Sequence, residues 1–235
     1  PYDPEGAYSV PYTWGRVGLV YNTKYVTEPV NSWNILWDEA YKNQILMFDN
    51  PRDAFGIAQF LLGQSVNTED TAELEAAAAL LQKQSAVSPV YAMDQILEKM
   101  PNEDAYIAPY YLGDCLTMCD ENEDLTFTVP QERTNLFVDA MCIPKGSAHK
   151  KEAEQFINFM CSTEAAYANI EYIAYSSPQV EAAAQHREYL VQEYGDEIAQ
   201  VIYPTDLSNT QVFLTLSQEA EQMMTDLWVK VKTAN

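Results

Sequence analysis

The sequence predicts an α/β fold in which strands and helices alternate along the chain. Its 235 residues suffice for one large domain or two small ones, and a hydrophobic content of 47% argues against disorder. Short runs of β-branched and aromatic residues alternate with segments of helical periodicity. This alternation is typical of a doubly wound sheet.

The first elements are predicted to be sheet, a short helix and a buried strand. Residues 8–22, YSVPYTWGRVGLVYN, favour strands that Pro11 and Gly15 interrupt. Ser32 is placed to cap a short helix, and residues 45–48 form an apolar strand. These elements lead into the first candidate site.

A helix is predicted from Pro51 to about Gly63. Proline suits the first turn, and Asn50 before it is a good cap. Asp53 then lies in the first turn, where a carboxylate stabilises the helix dipole whether or not a ligand is present.

The rest of the chain continues the alternation. We predict helices over residues 68–84, 92–100, 110–119, 149–161, 163–173 and 212–232, with strands over 105–108, 125–129 and a run that ends at Pro144. One face of the helix at 149–161 is expected to be apolar; it carries Ala153, Phe156, Ile157 and Met160.

Two segments place an aspartate beside apolar or aromatic residues near a strand end. They are LMFDNPRDAFG at 46–56, which contains Asp53, and NLFVDAMCIP at 135–144, which contains Asp139. Each carboxylate can accept charge-assisted hydrogen bonds from an amine, and three aromatic residues can offer ring faces to it, Tyr111, Phe137 and Tyr175. The alternative for each residue is structural, because most acids are simply solvated and most aromatic residues belong to the core.

The charge balance excludes several partners. Thirteen basic and 35 acidic residues give a net charge of −22, which repels nucleic acid and anionic lipid and attracts cations.

No apolar run is long enough to span a bilayer, and residues 1–20 have no signal-peptide pattern. The chain begins at Pro1, so it is expected to be a processed product or part of a longer protein.

Neither a metal site nor a catalytic site is predicted, and no cofactor. Cys115 and Cys119 are four residues apart on a predicted helix, but both histidines, His149 and His186, are distant in sequence, which favours buried thiols. The sequence has no motif for a nucleophile with its base. A hydrolase that uses a pair of carboxylates stays open as an alternative.

The order of four segments carries a resemblance to a known family. SVPYTWG with GLVYN, SWNILWDEAYKNQILMFDNPRDAF, VDAMCIPKGSAHKKEAEQFINFM and YIAYSSP occur in this order. The chain resembles the spermidine/putrescine-binding proteins, the polyamine-binding subunits of bacterial ABC transporters. The resemblance implies a periplasmic-binding-protein-like fold of type II, with two α/β lobes and the ligand in the cleft between them.

The resemblance also predicts domain boundaries. Residues 14–138 and 186–235 are expected to form the C-terminal lobe, and residues 1–13 and 139–185 a partial N-terminal lobe with the hinge crossings. The first part of the N-terminal lobe is expected to be missing, which would favour a dimer or strand exchange.

The family's ligand residues carry over one by one. Asp53 matches an acid that binds one amine, Asp139 an acid that anchors another part of the ligand, and Tyr175 an aromatic residue that contacts it. Tyr111 and Phe137 stand where the family usually has tryptophan.

Other matched positions depart from the family pattern. Asn50 replaces a second acid and Met93 replaces a serine. The family's ligand-contacting glutamine matches either Gln211 or Thr215.

The function that this resemblance implies is polyamine binding on the outer side of the cytoplasmic membrane, as a periplasmic protein or a cell-surface lipoprotein. An ABC transporter permease is the implied partner. Two further alternatives stay open. One is another solute, such as a metal ion, a phosphonate or a carboxylate, which for an anion would use Arg16, Arg52 or Arg133. The other is a chain that folds but does not bind.

Overall fold

The chain forms two compact units in the computed structural model, which describes residues 3–233. Among these residues, unit 1 comprises 3–15 and 137–205, and unit 2 comprises 16–136 and 206–233. The predicted domains also included residues 1, 2, 234 and 235, which lie outside the described part. Residues 186–205 pack in unit 1, whereas we expected them in the C-terminal lobe. The assignment of the units to the two lobes of the family stays a prediction.

Within residues 3–233, seven strands make up the sheets. They are β1 (Val10–Asn22), β2 (Leu46–Phe48), β3 (Val90–Ala92), β4 (Ile107–Tyr111), β5 (Leu125–Thr128), β6 (Thr134–Met141) and β7 (Thr210–Gln211). The larger sheet has the order β4-β1-β6-β7, with β5 also paired to β1, and β2 pairs with β3 in a second sheet. The strands β1 and β6 each contribute residues to both units.

The larger sheet is mixed, not uniformly parallel. β1 runs antiparallel to β4, with Val17 opposite Tyr111, and antiparallel to β5, with Leu19 opposite Thr128. β6 and β7 are parallel, and so are β2 and β3. The α/β class is as predicted, and this sheet is mixed because antiparallel ladders flank β1.

Nine α-helices surround the sheets. They are α1 (Pro51–Leu61), α2 (Thr71–Lys83), α3 (Ile96–Lys99), α4 (Leu112–Glu121), α5 (Lys150–Met160), α6 (Thr163–Ile173), α7 (Val180–Tyr194), α8 (Asp196–Ile202) and α9 (Gln218–Thr233). Ser32 caps a short 3-10 helix, Trp33–Trp37, as predicted. The count refers to residues 3–233.

Local sequence signals account for the best-predicted helix. The Asn50 side chain accepts hydrogen bonds from the N–H groups of Arg52 and Asp53, and Pro51 occupies the first turn of α1. This helix buries an apolar surface in unit 2, where Trp33, Phe48 and Phe55 are fully buried. Burial of such large side chains is the main stabilising contribution to a core.

Unit 1 has a smaller apolar cluster. Ala166 and Ile170 from α6 pack against Ala182 from α7, and α7 packs on α8. Because α7 lies between α6 and α8, residues 186–205 belong to this unit. Neither α7 nor α8 was predicted.

Several predicted elements need correction. Gly15 and Pro11 do not interrupt the first strand, because β1 continues through both. Tyr110 and Tyr111 end β4 and do not begin a helix, since β4 is held by its ladder with β1. Residues 212–217 are not helical, and α9 starts only at Gln218.

The four cysteines are free thiols in different environments. Cys115 is buried on α4 and Cys119 is partly buried on the same helix, whereas Cys142 and Cys161 in unit 1 are exposed. Burial raises the pKa of Cys115 well above its usual value and that of Cys119 to about 12. Across residues 3–233, no helix has the length and apolar character needed to cross a membrane.

Candidate functional site

The predicted site residues fall into two groups, one in each unit. Unit 2 holds Asn50, Asp53 and Tyr111, and unit 1 holds Phe137, Asp139 and Tyr175.

Asp53 is the buried acid of the unit 2 group. The first turn of α1 carries it, only 7% of its surface is exposed, and it shares a hydrogen bond with the Tyr111 side chain. Burial raises the pKa of its carboxyl group from 3.8 to about 6, although the positive charge of Arg52 and the bond with Tyr111 act in the opposite direction. The group is therefore mostly ionised at pH 7, but at a high cost in desolvation.

The surroundings of Asp53 are aromatic. The Tyr111 ring lies 5.7 Å from the ring of Phe48, measured between centroids. A narrow cavity of about 10 Å³ adjoins Asp53, and its walls include Trp33, Phe60 and Phe213. A carboxylate beside aromatic side chains is a suitable environment for an ammonium group.

Arg52 does not present a free guanidinium to a ligand. It donates hydrogen bonds to the carbonyl oxygens of Val66 and Leu214, at 2.7 and 3.0 Å, and to the side chain of Asn67. Its guanidinium carbon lies 4.6 Å from the centre of the Phe213 ring. These contacts hold Phe213 and Leu214, in a segment without regular secondary structure, against the first turn of α1.

Four other residues at matched positions have structural partners or differ in exposure. The Asn50 side-chain oxygen is occupied by its capping bonds. The Gln211 side-chain oxygen accepts a hydrogen bond from the N–H of Val66 at 2.9 Å. Met93 is half-buried and Thr215 is exposed.

Asp139 is the exposed acid of the unit 1 group. It stands in β6, and its carboxylate accepts a hydrogen bond from the Thr13 hydroxyl at 2.7 Å. Thr13 is only 1% exposed, so its position in β1 is well fixed. The bond orients the carboxylate while leaving it accessible to a ligand.

Phe137 and Tyr175 lie side by side in unit 1. Their ring centroids are 5.6 Å apart with an interplanar angle of 65°. A Cβ atom at position 15 would lie 2.6 Å from the Phe137 ring, so only glycine leaves room for this ring. The signal that we interpreted as a strand break at Gly15 is therefore a close approach of an aromatic side chain.

The segment that carries Tyr175 is anchored to β1. Ala174 adopts a left-handed conformation with φ of 57°, which ends α6 and turns the chain. Trp14 and Ser176 then exchange two backbone hydrogen bonds, at 2.9 and 3.1 Å. These bonds fix the position from which Tyr175 projects.

A buried histidine supports the same segment. His186 is 1% exposed, and burial lowers its pKa from 6.5 to about 4, so its ring is neutral at pH 7. Its Nδ1 atom lies 2.9 Å from the Tyr203 hydroxyl, which accepts a hydrogen bond from the Ser177 N–H. The hydroxyl proton is then left to donate to Nδ1. His186 is thus a structural residue in this unit.

Two features of the unit 2 group were not predicted. Asn135 is 6% exposed, lines the cavity beside Asp53, and its side-chain oxygen has no hydrogen-bond partner. Phe213 closes the same cavity. The available sequence signal for Asn135 was an asparagine inside a buried strand. The position of Phe213 depends on the path of residues 212–217, which the sequence did not reveal.

No metal centre is formed by the part of the chain that the structure describes, because no three His, Cys, Asp or Glu side chains converge there. A wider groove of about 520 Å³ in unit 2 is lined by residues of α2 and α9 and contains none of the predicted site residues.

Comparisons with known proteins point to one family. The sequence profile of bacterial extracellular solute-binding proteins matches residues 1–194. The spermidine/putrescine-binding periplasmic protein of Salmonella typhimurium is 30% identical over 183 residues, which cover 77% of this chain and 53% of that protein. The chain thus spans about half the length of the curated relatives it matches.

Solved structures agree with the sequence relatives. The structure of the spermidine/putrescine ABC transporter substrate-binding protein PotD from Streptococcus pneumoniae is similar, with a TM-score of 0.85 and 32% identity over 99% of this chain and 71% of that one. A putative spermidine/putrescine ABC transporter protein from Listeria monocytogenes gives a TM-score of 0.87 and 31% identity, over 100% of this chain and 71% of that one. The periplasmic-binding-protein-like fold expected from the sequence is thereby confirmed.

Proposed function

Because the chain belongs to the family of bacterial extracellular solute-binding proteins, we propose that it binds a polyamine such as spermidine or putrescine for an ABC transporter. The proposal extends to this chain what the names of its relatives state about them. An ABC transporter permease is the proposed partner, and the proposed location is the outer side of the cytoplasmic membrane, in the periplasm or on the cell surface.

The observation that carries the proposal is the buried carboxylate of Asp53 among aromatic side chains. A polyamine has ammonium groups separated by methylene stretches, so it needs carboxylates for the charges and aromatic walls for the chain between them. Asp53 with Tyr111 supplies such a combination in unit 2, and Asp139 with Phe137 and Tyr175 supplies a second in unit 1.

The proposed roles follow from these environments. Asp53 binds one ammonium group in a desolvated position, and Asp139 binds a second that is more accessible to water. Tyr111, Phe137 and Tyr175 contact the methylene chain or the ammonium groups with their ring faces. Asn50 holds the first turn of α1 and so positions Asp53.

An anionic solute has less support. The guanidinium of Arg52 is occupied by carbonyl oxygens and by Asn67. Arg16 is 8% exposed and buried in β1. With a net charge of −22, the chain repels anions at a distance as well.

Calorimetric titration with spermidine and with putrescine tests the proposal, with succinate as the anionic control. We expect saturable binding of at least one polyamine and none of succinate. Asp53→Asn and Asp139→Asn should each weaken polyamine binding more than tenfold, because an ammonium group then loses its charged partner at a cost of about 2 to 5 kcal/mol.

Matched controls separate contact from overall charge. Glu123→Gln in unit 2 and Glu193→Gln in unit 1 each remove one negative charge from an exposed position outside both groups. These variants should bind like the parent chain. If neither polyamine binds to the parent, the proposed function is wrong. If the controls lose as much affinity as the two aspartate variants, the proposed ligand contacts of Asp53 and Asp139 are wrong.

A further inference from the structure

Asn135 is a buried polar residue with an unused hydrogen-bonding atom. It lies in β6 opposite Gln211 of β7, it is 6% exposed, and its side-chain oxygen has no hydrogen-bond partner. A buried acceptor without a partner is unfavourable, because it has given up its bonds to water. The unpaired oxygen of Asn135 therefore contributes little to the stability of the fold, and its role is to be sought in the groups around it.

Asn135 is one of the residues that line the cavity beside Asp53. Both residues line this space, and the other walls are apolar or aromatic, including Trp33, Phe48 and Phe213. Gly56 allows the Phe213 ring to approach closely, since a Cβ atom there would lie 3.0 Å from it. The cavity therefore combines one carboxylate, one amide oxygen and ring faces.

This set of groups selects the chemistry of an occupant. An anion is repelled by Asp53, and an apolar group leaves the Asn135 oxygen unpaired. A water molecule can hydrogen-bond to both groups but leaves the buried carboxylate charge without a counter-ion. A cation that carries N–H donors satisfies the carboxylate, the amide oxygen and the aromatic walls together.

The size of the cavity limits that cation further. Its volume of about 10 Å³ is near the smallest that holds one water-sized group. A terminal ammonium group, with three N–H donors and one carbon substituent, is of this size. A secondary ammonium group in the middle of a chain needs space on both sides.

We propose that Asn135 is a ligand-binding residue and that, with Asp53, it forms a subsite for the terminal primary ammonium group of the ligand. The Asn135 side-chain oxygen accepts one N–H bond, Asp53 balances the charge, and the remaining ligand extends out of the cavity. This subsite rests on the proposed function for its biological ligand, but it is defined by residues of unit 2 alone.

The variant Asn135→Leu tests the role of the amide oxygen. It keeps the approximate size of the side chain and removes the acceptor, so we expect at least a tenfold loss of affinity for spermidine. The urea midpoint should stay the same or rise, because an unpaired buried polar group is removed. A residue that serves only the fold would show the reverse, a lower midpoint with unchanged affinity.

Gln59→Leu is the matched control. Gln59 is fully buried in α1, and neither polar atom of its side chain has a partner, but it does not line the cavity. Its replacement removes a buried amide from the same unit. We expect no loss of stability and no change in affinity.

A ligand with a single ammonium group tests the subsite independently of polyamine binding. n-Butylammonium needs only one carboxylate, and N,N,N-trimethylbutylammonium has the same charge without N–H donors. By NMR titration, the parent chain should bind n-butylammonium more tightly, with a shift of the Asn135 side-chain amide signal. Asn135→Leu should lose most of this preference.

The outcomes separate the subsite from the proposed function. If n-butylammonium shows the preference but spermidine and putrescine do not bind, the subsite stands and the polyamine function falls. If spermidine binds equally to the parent and to Asn135→Leu, the function stands and the subsite is wrong. If n-butylammonium causes no shift at Asn135, the cavity holds water only, and the subsite is also wrong.

Discussion

The two units bury similar sequence patterns to very different extents. Helix α1 in unit 2 and helix α5 in unit 1 both have 11 residues, but α1 buries eight of them, including Asp53, and α5 buries none. The two candidate aspartates differ in the same way, because Asp53 is only 7% exposed whereas Asp139 is an exposed residue. An amphipathic pattern thus predicts a helix, but it does not predict whether the apolar face is covered.

The difference in burial determines which titratable group in each unit has a charge state that is coupled to folding. In unit 2 a carboxylate is held in an apolar environment, so its charge state is coupled to folding. In unit 1 the carboxylate is accessible, and the buried titratable group is instead the imidazole of His186. The two units should therefore differ in how much stability a mutation removes, and their stability should depend on pH in opposite directions.

The largest contrast is expected between two phenylalanines. Phe55→Ala in α1 should lower the free energy of unfolding by about 3 to 5 kcal/mol, because a fully buried ring leaves a cavity. Phe156→Ala in α5 should change it by no more than about 0.5 kcal/mol, because that ring is 60% exposed. Urea denaturation of both variants measures the contrast. Similar losses for the two would mean that the α5 face is covered in solution.

Acid should act first on unit 1, through His186. Its pKa is lowered from 6.5 to about 4, so the unfolded state binds the proton more readily, and stability is lost as pH falls from about 6.5 to 4. The loss from this group is roughly 3 kcal/mol. His186→Gln keeps an acceptor for Tyr203 without titrating, so urea midpoints measured across this range should fall less steeply than for the parent. Parallel curves would contradict the assignment.

Asp53 should give the opposite pH dependence in unit 2. Its pKa is raised from 3.8 to about 6, so the folded state binds the proton more readily, and stability is lost as pH rises from about 4 to 6. Asp53→Asn should be roughly 2 to 3 kcal/mol more stable than the parent at pH 7.5 and about equal to it below pH 4. Equal stability at both pH values would show that the carboxylate is hydrated.

The smallest effect is expected at the other aspartate. Asp139→Asn keeps an oxygen that can accept the Thr13 hydrogen bond, and the position is exposed, so the free energy of unfolding should change by about 0.5 kcal/mol or less. Polyamine affinity should nevertheless fall, as for Asp53→Asn. A large loss of stability would instead assign Asp139 to the structure of unit 1.

Sequence reasoning succeeded where the signals are local. The Asn50 cap and Pro51 predicted the start of α1. Helix α6 also has its predicted range, Thr163–Ile173, with Ser162 before its first residue and Ala174 after its last. It failed where distant segments decide. Strand β3 exists through its pairing with β2. Residues 212–217 are not helical, and Asn67 instead bonds to the backbone of Val212 and Leu214.

The same limit applies to the candidate site. The aspartates and aromatic residues were identified from their neighbours in sequence and from a family resemblance. Their environments were not, because burial of Asp53 depends on Phe213 and on the path of a segment about 160 residues further along the chain. Asn135 was missed for the same reason, since an unpaired oxygen is visible only when all its neighbours are placed.

The distribution of thiols offers a spectroscopic handle on unit 1. Both exposed cysteines, Cys142 and Cys161, lie in that unit, flanking α5, whereas Cys115 and Cys119 have raised pKa values and at most partial exposure. Because the thiolate is the reactive form, a maleimide dye at neutral pH should attach selectively at the two exposed positions. Fluorescence from such labels would report on unit 1. Trp14 also lies in unit 1, so in a Trp14→Phe background the remaining tryptophans, at positions 33, 37 and 228, would report on unit 2, and the two units could be followed separately in one sample.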